Sequence, residues 1–413
     1  MTLPPPSSHA AHAPSGLPTP LWQQRIAALK KVKKDLRDRA PPRHHTRGDF
    51  QGLALPVAFP DVPLTIPREE IEAFCNTPGY NGFGNKGSVY DYYLDNSMQK
   101  VRYQTTVAPY YTARFEREHY AKPERPYGDG AQELLDEVVG HHVAQGFDFG
   151  SPTTEAGSVR ATNLLYAGPA VNKHGKGLWP HASTLRRPVS IGHGLQVADY
   201  QVTAMGTALS LGVYCHENGH MLCDFPDLYQ YGDVRAGCGS YCLMSFGAVA
   251  DAFNPPQIGA YLKYKAGWGL PQMIVPGTPY VAAPGGNQFF MLQRNNNEYF
   301  LIENRQKSGR DLALPDAGLA VWHVDELGSN TEPGQAGEGH RNYECALVQA
   351  DGRNDLVGHN DGDDSDLFNV TTQPVFPAGG RPSSLWWDGA PSGLQIRYIK
   401  KVTGGLEFIA DLA

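Results

Sequence analysis

His216-Glu217-Asn218-Gly219-His220 is the stretch of this chain whose residue types and spacing could do chemistry. Two histidines at i and i+4 of a helix leave from one face, close enough for both imidazoles to bind one Zn2+. The glutamate after the first histidine then stands beside the open metal position, placed to take a proton from a water and hand it to a leaving amine. The competing reading is a helix with two core or surface histidines and a solvated glutamate. With 15 histidines in 413 residues, such a string arises by chance only roughly 0.02 times.

A catalytic zinc normally keeps three protein ligands and one open position. Pro226 must end the helix, and Asp227 follows on a turn that can fold back toward the metal. Asp224 is the rival third ligand, since a continuing helix would put it on the face of His220. Cys215 and Cys223 flank the motif and read as small buried residues or disulfide halves rather than ligands. Cys238 and Cys242 flank the start of a Gly-rich turn, 237–247, in which Met244 can sit beneath a metal site in the manner of a Met-turn.

These residues need elements to hold them. The longest helical pattern beyond the N-terminus runs over 197–222, despite Gly206 and Gly212. Before it, the pattern predicts a Pro-rich extended start at 53–67, a short helix at 68–74, a helix through Tyr93 and Met98, a strand at 101–107, a helix at 131–145 and a buried strand at 161–167. After about residue 269 the style changes to short β runs separated by Gly, Pro and Asn. The expected class is α+β, with a soft boundary near 270.

Apolar residues make up 41% and charged residues 19%, so the bulk of the chain is foldable. Lys+Arg 35 against Asp+Glu 42 gives a net charge of −7, which argues against nucleic-acid binding driven by a global positive field. No 18-residue apolar run suited to a transmembrane segment occurs. Residues 1–20 are rich in Pro, Ser, His and Ala, with no signal-peptide core. Residues 22–39 set Trp22, Ile26, Leu29, Val32 and Leu36 at three- and four-residue spacings with Lys30, Lys31, Lys33, Lys34, Arg37 and Arg39 between them, an amphipathic basic helix. Such a helix can dock on its own domain, touch an anionic membrane surface, or belong to a pro-segment.

Several separated segments resemble the immune inhibitor A-type family of zinc metallopeptidases. They are GSVYDYYLDNS near residue 90, NLLYAGPA and LWPH (163–181), HENGHMLCDFPDLY, the CLMSFG turn, NPPQIGAYLKYKAGW (254–268), EYFLIENRQ (298–306), GLAVWHVDE (318–326), ALVQADG (346–352) and GDDSDLF (362–368). The resemblance covers most of 70–410. It implies a metzincin-like catalytic domain at 50–270, preceded by a tail and basic helix at 1–49 and followed by a β-rich region at 271–413.

The activity it implies is zinc-dependent hydrolysis of internal peptide bonds in polypeptide substrates. His216, His220 and an aspartate, with Asp227 preferred, would hold zinc, and Glu217 would be the general base. A non-catalytic binding protein of the same fold is the alternative. The resemblance also implies an extracellular location, whereas the absent signal peptide favours a cytoplasmic one.

The chain departs from the family pattern in two places. Cys223 stands where a glycine is usual, and Asp227 lies one residue later than the usual aspartate. The upstream acidic loop that often binds calcium is replaced by 147–163, which carries one glutamate. A Ca2+ site is instead conceivable at Asp361, Asp363, Asp364 and Asp366, where a solvated acidic loop is the plain reading. His323, Asp325, Glu303 and Arg305 read as core polar groups or as supports for the site.

Overall fold

The segment 48–58 is apolar and nearly continuous, the pattern of a strand covered on both faces. In the computed structural model, which describes residues 17–35, 45–172, 176–231, 237–333, 343–358 and 360–413, it is β1 (Gly48–Ala58), central in an eight-stranded and mainly parallel sheet. Around it lie β2 (Val101–Val107), β3 (Tyr111–Thr112), β4 (Thr154–Glu155), β5 (Ser158–Val159), β6 (Thr162–Tyr166), β7 (His181–Gly192) and β8 (Leu195–Ala204). A proline removes a ladder donor, and Pro56 sits where this matters least. On that edge β2 pairs only as far as Ala54, and β3 begins at Val57. The Pro-rich tail at 1–16 and the end of the basic helix beyond residue 35 lie outside the described residues.

The described helices are α1 (Leu21–Asp35), α2 (Arg68–Asn76), α3 (Val89–Asn96), α4 (Arg117–Ala121), α5 (Asp129–Ala144), α6 (Leu211–Cys223), α7 (Ala248–Ala250) and α8 (Ala260–Lys265), of which α2, α3, α5 and α6 pack on this sheet. Ser88 and Asp91 form a capping box that starts α3. That helix stops at Asn96, short of the expected Met98, because Met98 and Gln99 take positive φ and turn the chain into β2.

The long helix expected over 197–222 is corrected. Its first half is strand β8, paired with both β6 and β7, and only 211–223 is helical. Gly206, at φ +58, lies between the two. A stretch buried on both faces, polar residues included, carries no period that separates strand from helix, so the sequence pattern could not make the distinction.

After residue 270 the short β runs form two sheets. The five-stranded one contains β9 (Pro271–Met273), β11 (Phe289–Gln293), β12 (Glu298–Arg305), β13 (Gly318–Asp325) and β14 (Cys345–Leu347). The three-stranded one contains β10 (Thr278–Ala282), β15 (Leu394–Val402) and β16 (Gly405–Leu412). The fold is thus mixed α and β with several sheets. The largest apolar core crosses residue 270, joining Tyr93, Met244 and Trp268 to Tyr299, Trp322 and Leu347. Among the described residues no helix is long and apolar enough to cross a membrane.

Candidate metal centre

All of α6 is buried, so its polar residues need partners inside the protein. Asn218 donates to Asn163 Oδ1 on β6 at 2.7 Å and accepts from the Tyr103 hydroxyl on β2 at 2.9 Å. Tyr93 of α3 donates to the Cys215 carbonyl at 2.6 Å. At the helix start, the Leu211 amide donates to Asn85 Oδ1 at 3.2 Å. These bonds fix both the rotation and the depth of the helix that carries the two histidines.

The histidines are fixed in turn through Nδ1. His216 Nδ1 donates to the Leu243 carbonyl at 2.9 Å, and His220 Nδ1 to the Phe225 carbonyl at 2.6 Å. A carbonyl can only accept, so each Nδ1 carries a hydrogen and Nε2 is the atom each ring would offer to a metal. Asp227 Oδ1 lies 3.0 Å from His216 Nε2 and 3.4 Å from His220 Nε2. It is buried, and the two imidazoles face it. Zinc bonds of about 2.0–2.1 Å in a tetrahedral shell separate neighbouring ligand atoms by roughly 3.3 Å, so Asp227 Oδ1 stands from each imidazole at the spacing of two ligands on one Zn2+.

The electrostatics favour a cation at the same point. Burial penalises charge on His216, yet Asp227 and Glu217 outweigh it and push the imidazole up to about 9. Burial would raise Asp227, but the two imidazoles beside it hold it well below the usual carboxylate range. Glu217 is raised, first by burial, against the pull of His216 and His220 and of a hydrogen bond from the Ala182 backbone on β7. Ligand atoms of His216, Glu217 and His220 all lie within 4.8 Å of one another.

Asp224, the rival ligand, points elsewhere. It ends α6 in the left-handed conformation, φ +55, and so leaves the face of His220. Its carboxylate takes two hydrogen bonds from Arg25, at 2.8 and 2.6 Å, and faces Arg160 at 3.6 Å. Met244 lies beneath the motif as expected, its sulfur 2.8 Å from where a Cβ on Gly219 would stand. All six cysteines are free and buried. Those flanking the site therefore brace it by packing, and the disulfide reading is not realised. Burial pushes the Cys242 thiol up to about 12, so it is inert as a nucleophile.

The other singled-out residues divide. Glu303 and Arg305 are buried supports: Arg305 donates to the Tyr241 carbonyl at 2.9 Å, two residues before Leu243, and pairs with Asp311 at 2.7 Å. His323 is stacked between Phe300 and Trp387 and bonds Glu298 at 3.2 Å. Asp363 gathers with Asp351 and Asp355 rather than with its neighbours, and Arg353 pairs with all three. Asp366 is buried on Gln349, Tyr241 and the Asp363 amide, while Asp364 is exposed. The acidic run is thus split between an arginine and a core network.

Four further groups at the site escaped the sequence reading in this role. Tyr231 donates to Asp227 Oδ2 at 2.6 Å. Ala182 reaches Glu217 from β7, a strand with no motif to mark it. From α1, the Trp22 ring stacks on His220 at 4.5 Å and 20°. Trp22 lines, with His181, Glu217, Asp227 and Tyr229, a small cavity of about 10 Å³ at this point. Asp199 of β8 receives the Leu21 amide at 2.8 Å, capping α1 from 178 residues away. The docked-helix expectation for 22–39 therefore holds for the described part, with Trp22 seated against His220.

No protein-family model matches the chain, and no curated protein matches it significantly.

Proposed function

We propose that the protein is a zinc-dependent endopeptidase with a metzincin-like catalytic fold. The observation that carries this reading is the convergence of His216 Nε2, His220 Nε2 and Asp227 Oδ1 beside the buried carboxylate of Glu217. Zinc held there would polarise a substrate carbonyl and make a water acidic enough to ionise near neutral pH. Glu217 accepts the proton of that water and returns it to the departing amide nitrogen; its raised affinity for protons suits a base that must also act as an acid. Ala182 orients the carboxylate through its backbone amide. The burial of His216, Glu217, His220 and Asp227 strengthens each of these interactions. The family likeness of the motifs supports the same activity on polypeptides and a place outside the cell.

The test is metal content together with casein hydrolysis, with and without a chelator. Because Trp22 covers the cavity, hydrolysis is measured in the natural chain and in Trp22→Ala. The expected result is one zinc per chain and an activity lost by at least roughly 100-fold on Glu217→Gln with zinc retained. Full activity in the Glu217→Gln protein would sink the assignment. The covered site itself favours one other reading, a non-catalytic binding protein of the same fold, which predicts no hydrolysis in any of these proteins.

A further inference from the structure

Helix α1 lies across the candidate metal centre, and its residue there, Trp22, is no ligand. Among the described side chains of α1, Trp22 is the one that is fully buried, 5% exposed, and the indole lies flat against His220. An indole N–H carries no lone pair for a metal. The three ligand atoms thus keep their positions and the cavity of about 10 Å³ keeps room for one ion or water, while a peptide group has none. Buried Trp22 Nε1 has no hydrogen-bond partner among the described residues, a cost that a permanent core position seldom carries.

The rest of α1 is held at its edges. Asp199 caps its first amide. Arg25 bonds Asp224 and also Glu155, the latter at 2.8 Å. Lys30 reaches across to the β-rich region, at 2.7 Å from both Glu344 and the Gly328 carbonyl. The apolar stripe does little: Ile26 is half-buried and Val32 is 37% exposed. A 15-residue helix of this kind is marginal without its docking contacts.

We propose that α1 is a displaceable cover that keeps the centre latent with its metal in place, released when its polar attachments are broken and not by cutting the chain. This rests on the peptidase reading of the site, and it differs from latency by ligand exchange, because nothing has to leave the metal. Trp22 excludes the substrate, Arg25 straps the helix to Asp224 and Glu155, and Lys30 straps it to Glu344 and Gly328.

The experiment follows zinc transfer from the full, uncut chain to the chelator 4-(2-pyridylazo)resorcinol, alongside peptide hydrolysis, with intact mass checked throughout. Trp22→Ala and Arg25→Ala are expected to release zinc at least tenfold faster than the natural chain and to hydrolyse peptide at least tenfold faster. Trp22→Phe, which keeps a ring over His220, stays near the natural rate. Lys30→Ala guards against misfolding, since Lys30 is at the rim with 28% of its side chain exposed, lies far along α1 from the metal, and its loss leaves Lys265 paired with Glu344; it is expected to speed release severalfold. Equal zinc-transfer rates in all these proteins would overturn the cover, as would acceleration seen only after the chain is cut. Faster transfer with no hydrolysis in any variant supports the cover and defeats the peptidase reading instead.

Discussion

The two carboxylate oxygens of Asp227 face different partners. Oδ1 looks toward the two imidazoles, and Oδ2 takes the Tyr231 hydroxyl at 2.6 Å. Tyr231 is itself tied down by its amide, which donates to the Thr331 carbonyl at 3.1 Å. Outer partners of this kind tune a metal site without touching the ion. Tyr231→Phe is therefore expected to weaken zinc binding roughly 10- to 100-fold, read by competition with a chelator, while the melting temperature of the zinc-free protein stays unchanged. An unaltered zinc affinity would remove Tyr231 from the site. At this scale the sequence was most legible where geometry is local. His216, Glu217 and His220 are fixed by helical spacing alone, and Asp227 by a proline that forces a turn. Ala182, Asp199 and Trp22 come from distant segments, and no spacing announces which of them will meet.

Helix α6 approaches its neighbours so closely that two of its glycines are steric requirements. A Cβ on Gly212 would stand 1.9 Å from the Ala248 carbonyl oxygen, which is backbone and cannot yield. One on Gly219 would meet the Met244 side chain, which can shift. Gly212→Ala is accordingly expected to destabilise by at least roughly 1–3 kcal/mol and Gly219→Ala by less, measured by chemical denaturation. The reverse order would mean that the 248–252 turn is softer than the packing indicates. Glycines that look like helix breakers in the sequence are here what lets the helix sit deep. The same depth explains why 197–222 reads as one helix. Strand β8, buried over 197–202, and helix α6, buried throughout, have no exposed face to set a pattern, whereas α2, α3, α5 and β2 each carry a one-sided pattern and were legible.

At the level of the whole molecule, the region after residue 270 positions the centre as well as packing on it. Arg305 on β12 holds the Tyr241 carbonyl, and the turn that follows supplies the Leu243 carbonyl that orients His216. The soft boundary read from the change of style therefore marks a change of element type and not a division of the core. Glu344 adds a second tie, pairing Lys265 of α8 and Lys30 of α1. Burial would raise its carboxyl, but the two lysines and Tyr261 hold it down to about 2, against an ordinary value of 4.5. A depressed carboxylate stabilises the fold above its unfolded value and loses that contribution as pH falls through the folded one. The melting temperature should thus drop between about pH 4.5 and pH 2. Glu344→Gln should flatten that drop, at a cost near neutral pH of up to roughly 3 kcal/mol, the low end for a buried pair because both lysines keep some solvent contact. A pH profile identical to the natural protein's would exclude this tie. The placement of α1 also sets a concentration scale. Its sequence is joined to β1 through residues 36–47, and an occupant tethered so closely acts at a local concentration in roughly the millimolar range. Dilution does not open such a site. Any polypeptide that enters must outcompete that internal concentration, so weak attachments are enough to keep the centre closed to chance encounters.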